Sequence, residues 1–407
     1  MHILQVNKFL FNKGGSEAYM FELSNRLSKD HKVGLWGMAD VKNKDSRIQK
    51  PLVSAIDFHT NAVSKILYPF KIAYSFEAKE KYNTVSKSFN PDIVHLNNFN
   101  FHLTPSIIDA AYNRGTPMVL TVHDPFLVCP SHTFYNYQTS EICELCKDRK
   151  YIHCIKTSCL HGSKARSFMA AVEGWVHHKR KTYDKINRMI CPSQFMADKL
   201  IEFGVNPKQI TVLHNFAGEA EGRLETDKKD YILYFGRLSK EKGISTLLEV
   251  MKATPEIQYV IAGTGPLENL IKEYLEPNMR YVGFQTGNAL KMLIKGSAFT
   301  IYPSEWYENC PMSILESQGY GVPVIGARIG GIPELIREDV DGLLFESGNV
   351  EDFTAKVRRL YSDRILQMEY STQCFAKIQD FSIDKYVEKL MIVYEEAIEE
   401  TKMRTGR

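Results

Sequence analysis

The stretch Ser304-Glu305-Trp306-Tyr307-Glu308-Asn309-Cys310-Pro311-Met312-Ser313-Ile314-Leu315-Glu316 decides how this chain is interpreted. It follows an apolar run, Ala298 to Pro303, that predicts a buried strand. Pro311 suits the first turn of a helix, where its missing N–H is not needed. The free amides of such a turn and the helix dipole favour an anion. With Glu308 before the helix and Glu316 inside it, the stretch predicts a site for a ligand that carries hydroxyls and phosphate.

The same stretch has a simpler interpretation, in which a solvated helix start carries two surface glutamates. The remainder of the chain has to decide between the two, because one short motif is not specific enough.

Length and composition set the broad class. The 407 residues suffice for roughly two to three domains. Hydrophobic residues make up 44% and charged residues 24%, as in soluble globular proteins, and a net charge of +3 does not indicate nucleic acid binding. The N-terminus does not resemble a signal peptide, and no apolar run approaches the ~18 residues of a membrane span. We therefore expect a cytoplasmic protein whose eight cysteines are thiols or metal ligands.

Short apolar runs alternate with helical stretches in the first half, which predicts a parallel sheet. Gly14-Gly15, Asn97-Asn98 and His123-Asp124 each follow such a run. Because ligands bind at the carboxyl ends of parallel strands, we expect these pairs at one edge of the sheet. The glycines would let the backbone approach a ligand closely, although an ordinary tight turn has the same sequence. Ser16 is the predicted N-cap of the helix that follows.

The later segments complete an α/β architecture. Residues 129–189 form an insertion with a cysteine cluster and a basic helix, and Gly218 to Asp230 predict a linker. A second α/β half begins at Tyr231, and an amphipathic helix over about Ser382 to Glu400 ends the chain. The predicted architecture is two α/β halves with a cleft between them.

A basic turn follows the first strand of the second half. Arg237 and Lys242 lie in Gly236-Arg237-Leu238-Ser239-Lys240-Glu241-Lys242-Gly243. An arginine fork and a lysine point charge suit a diphosphate, although charges at strand ends are common and the turn could simply be solvated. Gly263 belongs to a second glycine loop predicted for the same edge.

In combination these motifs closely resemble the retaining glycosyltransferases of family 4, which have the GT-B fold of two Rossmann-like parallel-sheet domains facing a central cleft. The motifs are Gly236-Arg237-Leu238 with Lys242-Gly243, Glu308 and Glu316 with seven residues between them, Ile332-Pro333-Glu334-Leu335, Asp341-Gly342-Leu343-Leu344, Gly14-Gly15-Ser16-Glu17 and His123-Asp124. The resemblance covers essentially the whole chain. It implies an acceptor-side domain, 1–216, and a nucleotide-sugar-binding domain, 217–407, with the last helix as a candidate to pack back on the first domain.

The resemblance also implies residue roles. Arg237 and Lys242 would hold the pyrophosphate of the donor, and Glu316 the ribose hydroxyls. Glu308 and His123 would be the catalytic residues, with Glu308 bound to hydroxyls of the donor sugar and His123 near that sugar. The other donor-binding residues would be Gly14 and Gly15 over the phosphates, Gly263, the backbone near Phe284 at the base, and the backbone of Asn309, Cys310, Pro311 and Met312. Cys310 stands where relatives often carry a smaller or more apolar residue, but only its backbone is expected to matter.

The expected chemistry is transfer of a hexose from a UDP- or GDP-sugar to a glycan or lipid-linked glycan. Fixed cations and amides stabilise a diphosphate leaving group, and we identify no Asp-x-Asp motif as a metal site, so no catalytic metal is expected. No carboxylate nucleophile is evident. The resemblance implies same-face attack, in which the departing phosphate takes the proton of the acceptor. The alternatives are a nucleotide-sugar epimerase of the same fold and a catalytically silent subunit of a membrane-associated glycan assembly.

Four cysteines in the insertion are candidate metal ligands. Cys143, Cys146, Cys154 and Cys159 have the spacing C-x2-C, seven residues, then C-x4-C. In a reducing compartment this pattern indicates a metal, most simply a structural zinc, with a buried thiol cluster and an iron–sulfur site as alternatives.

The insertion is also strongly basic. Residues 147–188 contain eleven lysines and arginines against three acidic residues. Ala165, Phe168, Met169, Val172, Trp175, Val176, Tyr183 and Ile186 recur at helical spacing within it. One interpretation is peripheral contact with an anionic membrane and a lipid-linked acceptor. The other is that the stripe packs on the N-terminal sheet and the charges are solvated.

Overall fold

The structure is a computed structural model that describes residues 1–55, 74–218 and 230–406. Contacts within the chain divide it into two compact units. Unit 1 comprises Met1–Thr139, Cys143–Leu213 and Tyr386–Arg407, and unit 2 comprises Ser140–Ile142 and His214–Lys385. The predicted linker lies outside the described residues except for its two ends, Gly218 and Asp230.

The strands as far as residue 212 are β1 (His2–Val6), β2 (Lys32–Trp36), β3 (Ile93–Leu96), β4 (Met118–Thr121), β5 (Tyr135–Asn136), β6 (Glu141–Ile142), β7 (Arg188–Cys191) and β8 (Ile210–Val212). Six of them form the parallel sheet of unit 1, in the order β2-β1-β3-β4-β7-β8. Every residue of β3 and β4 is buried, because helices cover both faces of the sheet.

Among the described residues of this half, the helices are α1 (Gly15–Leu27), α2 (Phe76–Phe89), α3 (Ser106–Arg114), α4 (Ile152–Thr157), α5 (Lys164–Lys179) and α6 (Gln194–Glu202). Serine side chains cap the N-termini of α2, α5 and α6. The predicted serine cap of α1 is wrong, because Gly14 occupies that position and Ser16 lies inside the first turn. The Ser16 hydroxyl instead accepts a hydrogen bond of 2.8 Å from Asn98 Nδ2.

Unit 2 contains the strands β9 (Ile232–Phe235), β10 (Tyr259–Ala262), β11 (Met279–Tyr281), β12 (Phe299–Tyr302), β13 (Val324–Ala327) and β14 (Gly342–Phe345). They form a second parallel sheet in the order β11-β10-β9-β12-β13-β14. The core on this sheet is made of fully buried aliphatic and aromatic side chains, among them Leu247, Ile261 and Phe299.

The helices after residue 243 are α7 (Ile244–Ala253), α8 (Glu268–Glu273), α9 (Gly287–Gly296), α10 (Met312–Gly319), α11 (Ile332–Leu335), α12 (Val350–Ser362), α13 (Arg364–Ile378) and α14 (Ile383–Thr405). Of these, α14 from Tyr386 onward belongs to unit 1. Its apolar face is buried there, with Tyr386, Leu390 and Tyr394 each at most 4% exposed. No helix among the described residues is both long enough and apolar enough to cross a membrane.

The helix α5 in the insertion buries the opposite face from the one that amphipathicity alone suggests. Its buried residues include Ala170, Ala171 and Glu173, whereas Phe168 is 55% and Trp175 37% exposed. The interpretation in which the aromatic stripe packs on the sheet is therefore wrong for these two side chains. Close packing explains the inversion, because a Cβ on Gly174 would lie 2.8 Å from the Tyr151 ring.

The strand orders place one topological switch point in each sheet. In unit 2 it lies between β9 and β12, and in unit 1 between β1 and β3, where successive connections run in opposite directions across the sheet. In open parallel sheets, ligands bind beyond the carboxyl ends of the strands at such points. Ligand-binding residues are therefore expected in each unit separately: in the loops that begin at Gly236 and Pro303 in unit 2, and in those that begin at Asn7 and Asn97 in unit 1.

Candidate active site

The loops after β9, β10 and β11 are joined by backbone hydrogen bonds. Leu238 N–H donates to Thr264 O over 2.9 Å, and Gly263 N–H donates to Gly283 O over 2.8 Å. Gly263 has a φ of +148°, and a Cβ there would lie 1.8 Å from the carbonyl oxygen of Gly236. Glycine is therefore required at Gly263 for the loops to meet, and together they form a continuous backbone surface at the edge of the sheet.

An ion pair lies at the switch point of unit 2. Lys242 Nζ is 2.5 Å from Glu308 Oε1, and the Glu308 residue is 8% exposed. The same oxygen accepts hydrogen bonds from Ser304 Oγ over 2.7 Å and from Trp306 Nε1 over 2.6 Å. The sequence predicted both charged residues, but only the fold brings these two side chains together, because they are 66 positions apart.

Lys242 is held as a cation by its surroundings. Its ammonium donates to Tyr302 OH over 3.1 Å and lies 5.2 Å from the centroid of the Trp306 ring. Burial alone would lower the pKa of Lys242, but the Glu308 carboxylate and the Tyr302 hydroxyl raise it above its ordinary value. A lysine that stays charged in a partly buried site is suited to bind phosphate.

The backbone of Glu308 is fixed by the loop after β13. Gly331 N–H donates to Glu308 O over 2.7 Å. Gly330 has a φ of +58°, and a Cβ there would lie 2.3 Å from that oxygen. Any other residue at Gly330 would push Glu308 out of place.

The helix α10 follows Glu308 and contains Glu316 in its second turn. Pro311 is the N-cap, with φ −66° and ψ 117°, so the prediction that it lies in the first turn is wrong by one residue. Cys310 is 6% exposed, and its carbonyl oxygen accepts a hydrogen bond of 3.0 Å from Asn215 Nδ2. The predicted donor residues Asn309 and Met312 flank this buried position and are themselves half-buried.

Arg237 and Phe284 lie at the same edge and are exposed. Arg237 follows Gly236 directly after β9, and its carbonyl oxygen accepts a hydrogen bond of 2.8 Å from Tyr234 OH. Phe284, after β11, is 68% exposed. The structure thus places both side chains beside the glycine loops, where they are accessible to a ligand.

The predicted residues of unit 1 lie at the carboxyl edge of its own sheet. A Cβ on Gly15 would meet nothing within 4 Å, so the start of α1 has open space beside it. His123 follows β4, and burial lowers its pKa to about 3. Its Nε2 lies 3.0 Å from Asn97 Oδ1. His123 is therefore a neutral imidazole held by an amide.

Two comparisons of sequence extend these observations. Residues 13–217 match the family described as Glycosyltransferase Family 4, and residues 219–374 match Glycosyl transferases group 1. The chain belongs to glycosyltransferase family 4. The predicted family is thereby confirmed.

Similarity to individual family members covers part of their length. The sulfoquinovosyl transferase of Arabidopsis thaliana is 35% identical over 34% of this chain and 28% of that protein. The UDP-Gal:alpha-D-GlcNAc-diphosphoundecaprenol alpha-1,3-galactosyltransferase of Escherichia coli is 30% identical over 44% of this chain and 46% of that protein. The chain therefore spans less than half the length of these two relatives.

The fold is shared over a longer range. The crystal structure of Anabaena HepE in complex with UDP superposes with a TM-score of 0.68 at 16% identity, covering 97% of this chain and 100% of that chain. Together with the two parallel sheets, this likeness confirms the predicted GT-B fold.

One acidic motif of this family 4 chain was overlooked in the sequence. Asp339-Val340-Asp341 is an Asp-x-Asp triplet, so the motif is present. Asp341 is fully buried and accepts a hydrogen bond of 2.5 Å from Arg337 Nε, with Lys377 Nζ 3.3 Å away. Asp339 is paired with Arg359 over 2.7 Å. Cations of the protein already neutralise both carboxylates, so the triplet has a structural role at the start of β14.

The four cysteines of the insertion are only partly assembled. Cys146, Cys154 and Cys159 are buried in one small cluster, and Cys143 is half-buried. Cys154 Sγ and Cys159 Sγ are 3.1 Å apart. Burial raises the pKa of Cys146 to about 12, and neighbouring cysteines add to this. Within residues 1–55, 74–218 and 230–406 no group of three or more ligand side chains is arranged to hold a metal, so the structural zinc stays a prediction.

The sequence interpretation missed the polar residues that support the predicted ones. In unit 2 these are Ser304, Trp306 and Tyr302 around the Lys242–Glu308 pair. In unit 1 they are Gln5 and His95, both fully buried, whereas Asn97 was predicted at this edge but not as the partner of His123. A signal for the second set was present, because Gln5 and His95 interrupt apolar strands where a side chain with no partner would be costly.

Proposed function

We propose that this family 4 protein is a retaining glycosyltransferase that moves a hexose from a nucleotide sugar to a glycan or a lipid-linked glycan. The observation that carries the proposal is the Lys242–Glu308 pair at the switch point of unit 2, beside the glycine loops. The site combines a fixed cation, a carboxylate and exposed backbone, which are the groups that a sugar diphosphate requires.

The donor is proposed to lie along this edge. Lys242 and Arg237 bind the diphosphate, and Glu316 binds the ribose hydroxyls. The hydroxyls of the sugar bind to Glu308 Oε2, because the hydrogen bonds from Lys242, Ser304 and Trp306 all go to Oε1. Gly263 and the backbone at Phe284 are proposed to contact the nucleotide, and Gly14 and Gly15 are proposed as further phosphate ligands. The Escherichia coli relative is named for a UDP-sugar and a Corynebacterium glutamicum relative for GDP-mannose, so we propose a UDP- or GDP-sugar as the donor and test UDP first.

The transfer is proposed to proceed on one face of the sugar and without a catalytic metal. As the bond between the sugar carbon and the phosphate oxygen breaks, negative charge grows on the diphosphate and Lys242 and Arg237 stabilise it. The acceptor oxygen attacks the same carbon on the same face, and its proton passes to the departing phosphate oxygen. His123 positions the sugar as a neutral group, since an imidazolium would repel the positive charge that develops on the sugar carbon.

The proposal is tested by incubating the protein in EDTA with a panel of UDP-, GDP- and ADP-hexoses, with and without membrane glycolipid extract. The expected result is release of nucleoside diphosphate only when an acceptor is present, with an α-linked product from an α-linked donor. Conversion of the sugar with donor alone would favour the epimerase instead. Binding without any turnover in every condition would favour the silent subunit.

The outward face of α5 supports a lipid-linked acceptor. Lys164, Phe168, Trp175 and Lys179 lie on one stripe of the helix, because their spacings of four, seven and four residues are close to whole turns. All four are exposed. The two lysines have no ion-pair partner in the described part of the chain, unlike Arg180, which is bound to Asp109 over 2.8 Å. Aromatic rings between cations suit the interface of an anionic bilayer.

Vesicle sedimentation tests this surface. Wild-type protein is expected to sediment with vesicles of anionic phospholipid at low salt and to be released at high salt. Charge reversal in Lys164→Glu/Lys179→Glu should abolish the sedimentation, whereas reversal of two exposed lysines elsewhere in unit 1, Lys87→Glu/Lys389→Glu, should reduce it only slightly. Equal binding to neutral vesicles, or equal loss in both double variants, would rule out α5 as the contact.

A further inference from the structure

A chain of buried polar side chains runs from His123 into the interior of unit 1. His123 Nε2 lies 3.0 Å from Asn97 Oδ1, and Asn97 Nδ2 donates to Gln5 Oε1 over 3.0 Å. Gln5 Nε2 lies 3.4 Å from His95 Nδ1. Asn97, Gln5 and His95 are fully buried, so each of their hydrogen bonds has to be satisfied within the protein.

The chain continues to the helices that cover the sheet. His95 Nε2 lies 2.7 Å from Thr121 Oγ1, and His95 Nδ1 lies 2.6 Å from Tyr394 OH on α14. Thr121 Oγ1 is in turn 3.2 Å from Tyr19 OH on α1. At its inner end, the network of hydrogen bonds thus reaches the hydroxyl groups of Thr121, Tyr394 and Tyr19, which can either donate or accept.

The directions of these hydrogen bonds depend on one another. Because Asn97 donates through Nδ2, its Oδ1 can only accept, and His123 must donate from Nε2–H. Because Gln5 accepts through Oε1, its Nε2 faces His95 as a donor, which favours a bare His95 Nδ1 that also accepts from Tyr394 OH, with His95 Nε2–H donating to Thr121. A neutral imidazole carries one N–H. The amide orientations therefore determine the tautomers of both histidines together.

We infer that Asn97 is a positioning residue that holds His123 as the Nε2–H tautomer, with Nδ1 as a hydrogen-bond acceptor for a sugar hydroxyl, and that Gln5 and His95 fix the orientation of the Asn97 amide. This inference rests on the proposed role of His123 in transfer. It adds a group that has no contact with the sugar and acts through the ring that does.

An amide at this position also differs from a carboxylate in its effect on charge. A carboxylate beside Nε2–H would stabilise the imidazolium and raise the pKa of the ring, whereas an amide does not. In the protein as it stands, burial lowers the pKa of both His95 and His123 to about 3. Asn97 therefore orients the ring while leaving it neutral.

The first test is direct observation of the tautomer. A long-range proton–nitrogen spectrum of protein labelled with 15N-histidine should show His123 with a protonated Nε2 and a bare Nδ1, assigned by its loss in His123→Gln. A protonated Nδ1 in the wild type would mean that the hydrogen bonds of this network have the opposite donors and acceptors, and the inference would be wrong.

The second test is the isosteric substitution Asn97→Asp. The added carboxylate should raise the pKa of His123, so the acid limb of the kcat profile should move to higher pH by about one to three units, with KM for the donor little changed. Two titratable side chains interact with His123: Tyr19 on α1, whose ring centroid is 5.0 Å from that of His123, and His95 on β3. Asp124 is the next residue along the sequence. Burial raises the pKa of Asp124 to about 6, so Asp124 also titrates in the measured pH range. The effect of Asn97→Asp is therefore measured against the wild-type profile of kcat against pH.

Asn206→Asp is the matched control. Asn206 is an exposed cap whose side chain accepts from Lys208 N–H over 3.1 Å, and aspartate caps equally well. It adds the same charge and should leave the pH profile unmoved. A fall in thermal stability for Asn97→Asp without a shift of its acid limb would mean that Asn97 is only structural. Full activity of His123→Gln would instead remove the role proposed for His123, whatever the tautomer.

Discussion

The carboxyl edges of the two sheets differ in their electrostatics although both lie on parallel α/β sheets. In unit 2, Lys242 and Glu308 meet as an ion pair and Lys242 is stabilised as a cation. In unit 1, burial keeps His95 and His123 neutral. The difference agrees with the proposed function, in which Lys242 stabilises the leaving diphosphate by its charge and His123 contacts the sugar as a neutral group.

The neutral character of unit 1 extends beyond the histidines. Burial raises the pKa of Glu173, on the inner face of α5, to about 8. Burial lowers the pKa of His132 to about 3. Glu173 and His132 are therefore both uncharged near neutral pH, whereas at the site of unit 2 the charges compensate each other.

The largest expected effect is on the ion pair. Lys242→Ala leaves Glu308 buried without its cation and should lower the free energy of unfolding by about 3–5 kcal/mol. Arg237→Ala, at an exposed position of the same edge, should change it by no more than about 0.5 kcal/mol. Urea titration monitored by tryptophan fluorescence measures both variants. Restored stability in the double variant Lys242→Met/Glu308→Gln would show that the loss comes from the unpaired carboxylate, and equal stability of the two alanine variants would contradict the pair.

Substitution of the buried acid Glu173 should increase the stability of the protein, in contrast to Lys242→Ala, which should lower it. Glu173→Gln should stabilise the protein at pH 8 by a few kcal/mol and have little effect near pH 4.5. The folded carboxyl has its pKa raised to about 8, so the wild type loses about 1.4 kcal/mol per pH unit between the unfolded and folded values, and glutamine does not. Urea unfolding at pH 5, 6, 7 and 8 gives the slope. The exposed control Glu249→Gln should show none, and a pH-independent difference for Glu173→Gln would refute the buried acid.

The two carboxylates of the donor site should separate by function. Glu316→Gln should weaken binding of free nucleoside diphosphate by about tenfold or more, because it removes a hydrogen bond to a charged group. Glu308→Gln should leave that binding nearly intact and damage transfer. Calorimetry with UDP, followed by turnover assays, measures both quantities. The reverse pattern would mean that the two roles are exchanged.

The smallest effect on catalysis is expected from the cysteines. If Cys143, Cys146, Cys154 and Cys159 hold zinc, protein purified without chelators should contain one equivalent by elemental analysis. Removal of the metal should lower the stability of the insertion and leave kcat unchanged, because the cluster does not belong to the transfer site. A content of every transition metal far below one equivalent per protein would rule the site out.

Two amphipathic helices show what sequence periodicity does and does not determine. In α14 the predicted apolar face is buried, including Leu390 and Tyr394. In α5, Phe168 and Trp175 are 55% and 37% exposed, while Ala171 and Gly174 pack against Tyr151. Periodicity gives the angle of a stripe around the helix axis, but the side that faces the protein is decided by packing against distant residues.

The residues of the candidate active site could also be predicted from the sequence only in part. Residues at strand ends, such as Arg237, Lys242 and His123, follow from the alternation of strands and helices. The pairing of Lys242 with Glu308 and the contact of Asn97 with His123 do not, because they depend on which strands become neighbours in the sheet. Gln5 and His95 were visible only as polar residues in apolar strands, without an indication of their partners.

The central claim is that the edge formed after β9 and β12 binds the diphosphate of a nucleotide sugar. Isothermal titration of UDP in EDTA into wild type, Arg237→Ala and Lys242→Met tests it most directly. We predict binding by the wild type without metal and a loss of about ten- to a hundredfold in affinity in each variant, since each removes a contact worth about 1.5–3 kcal/mol. Unchanged affinity in both folded variants would contradict the claim.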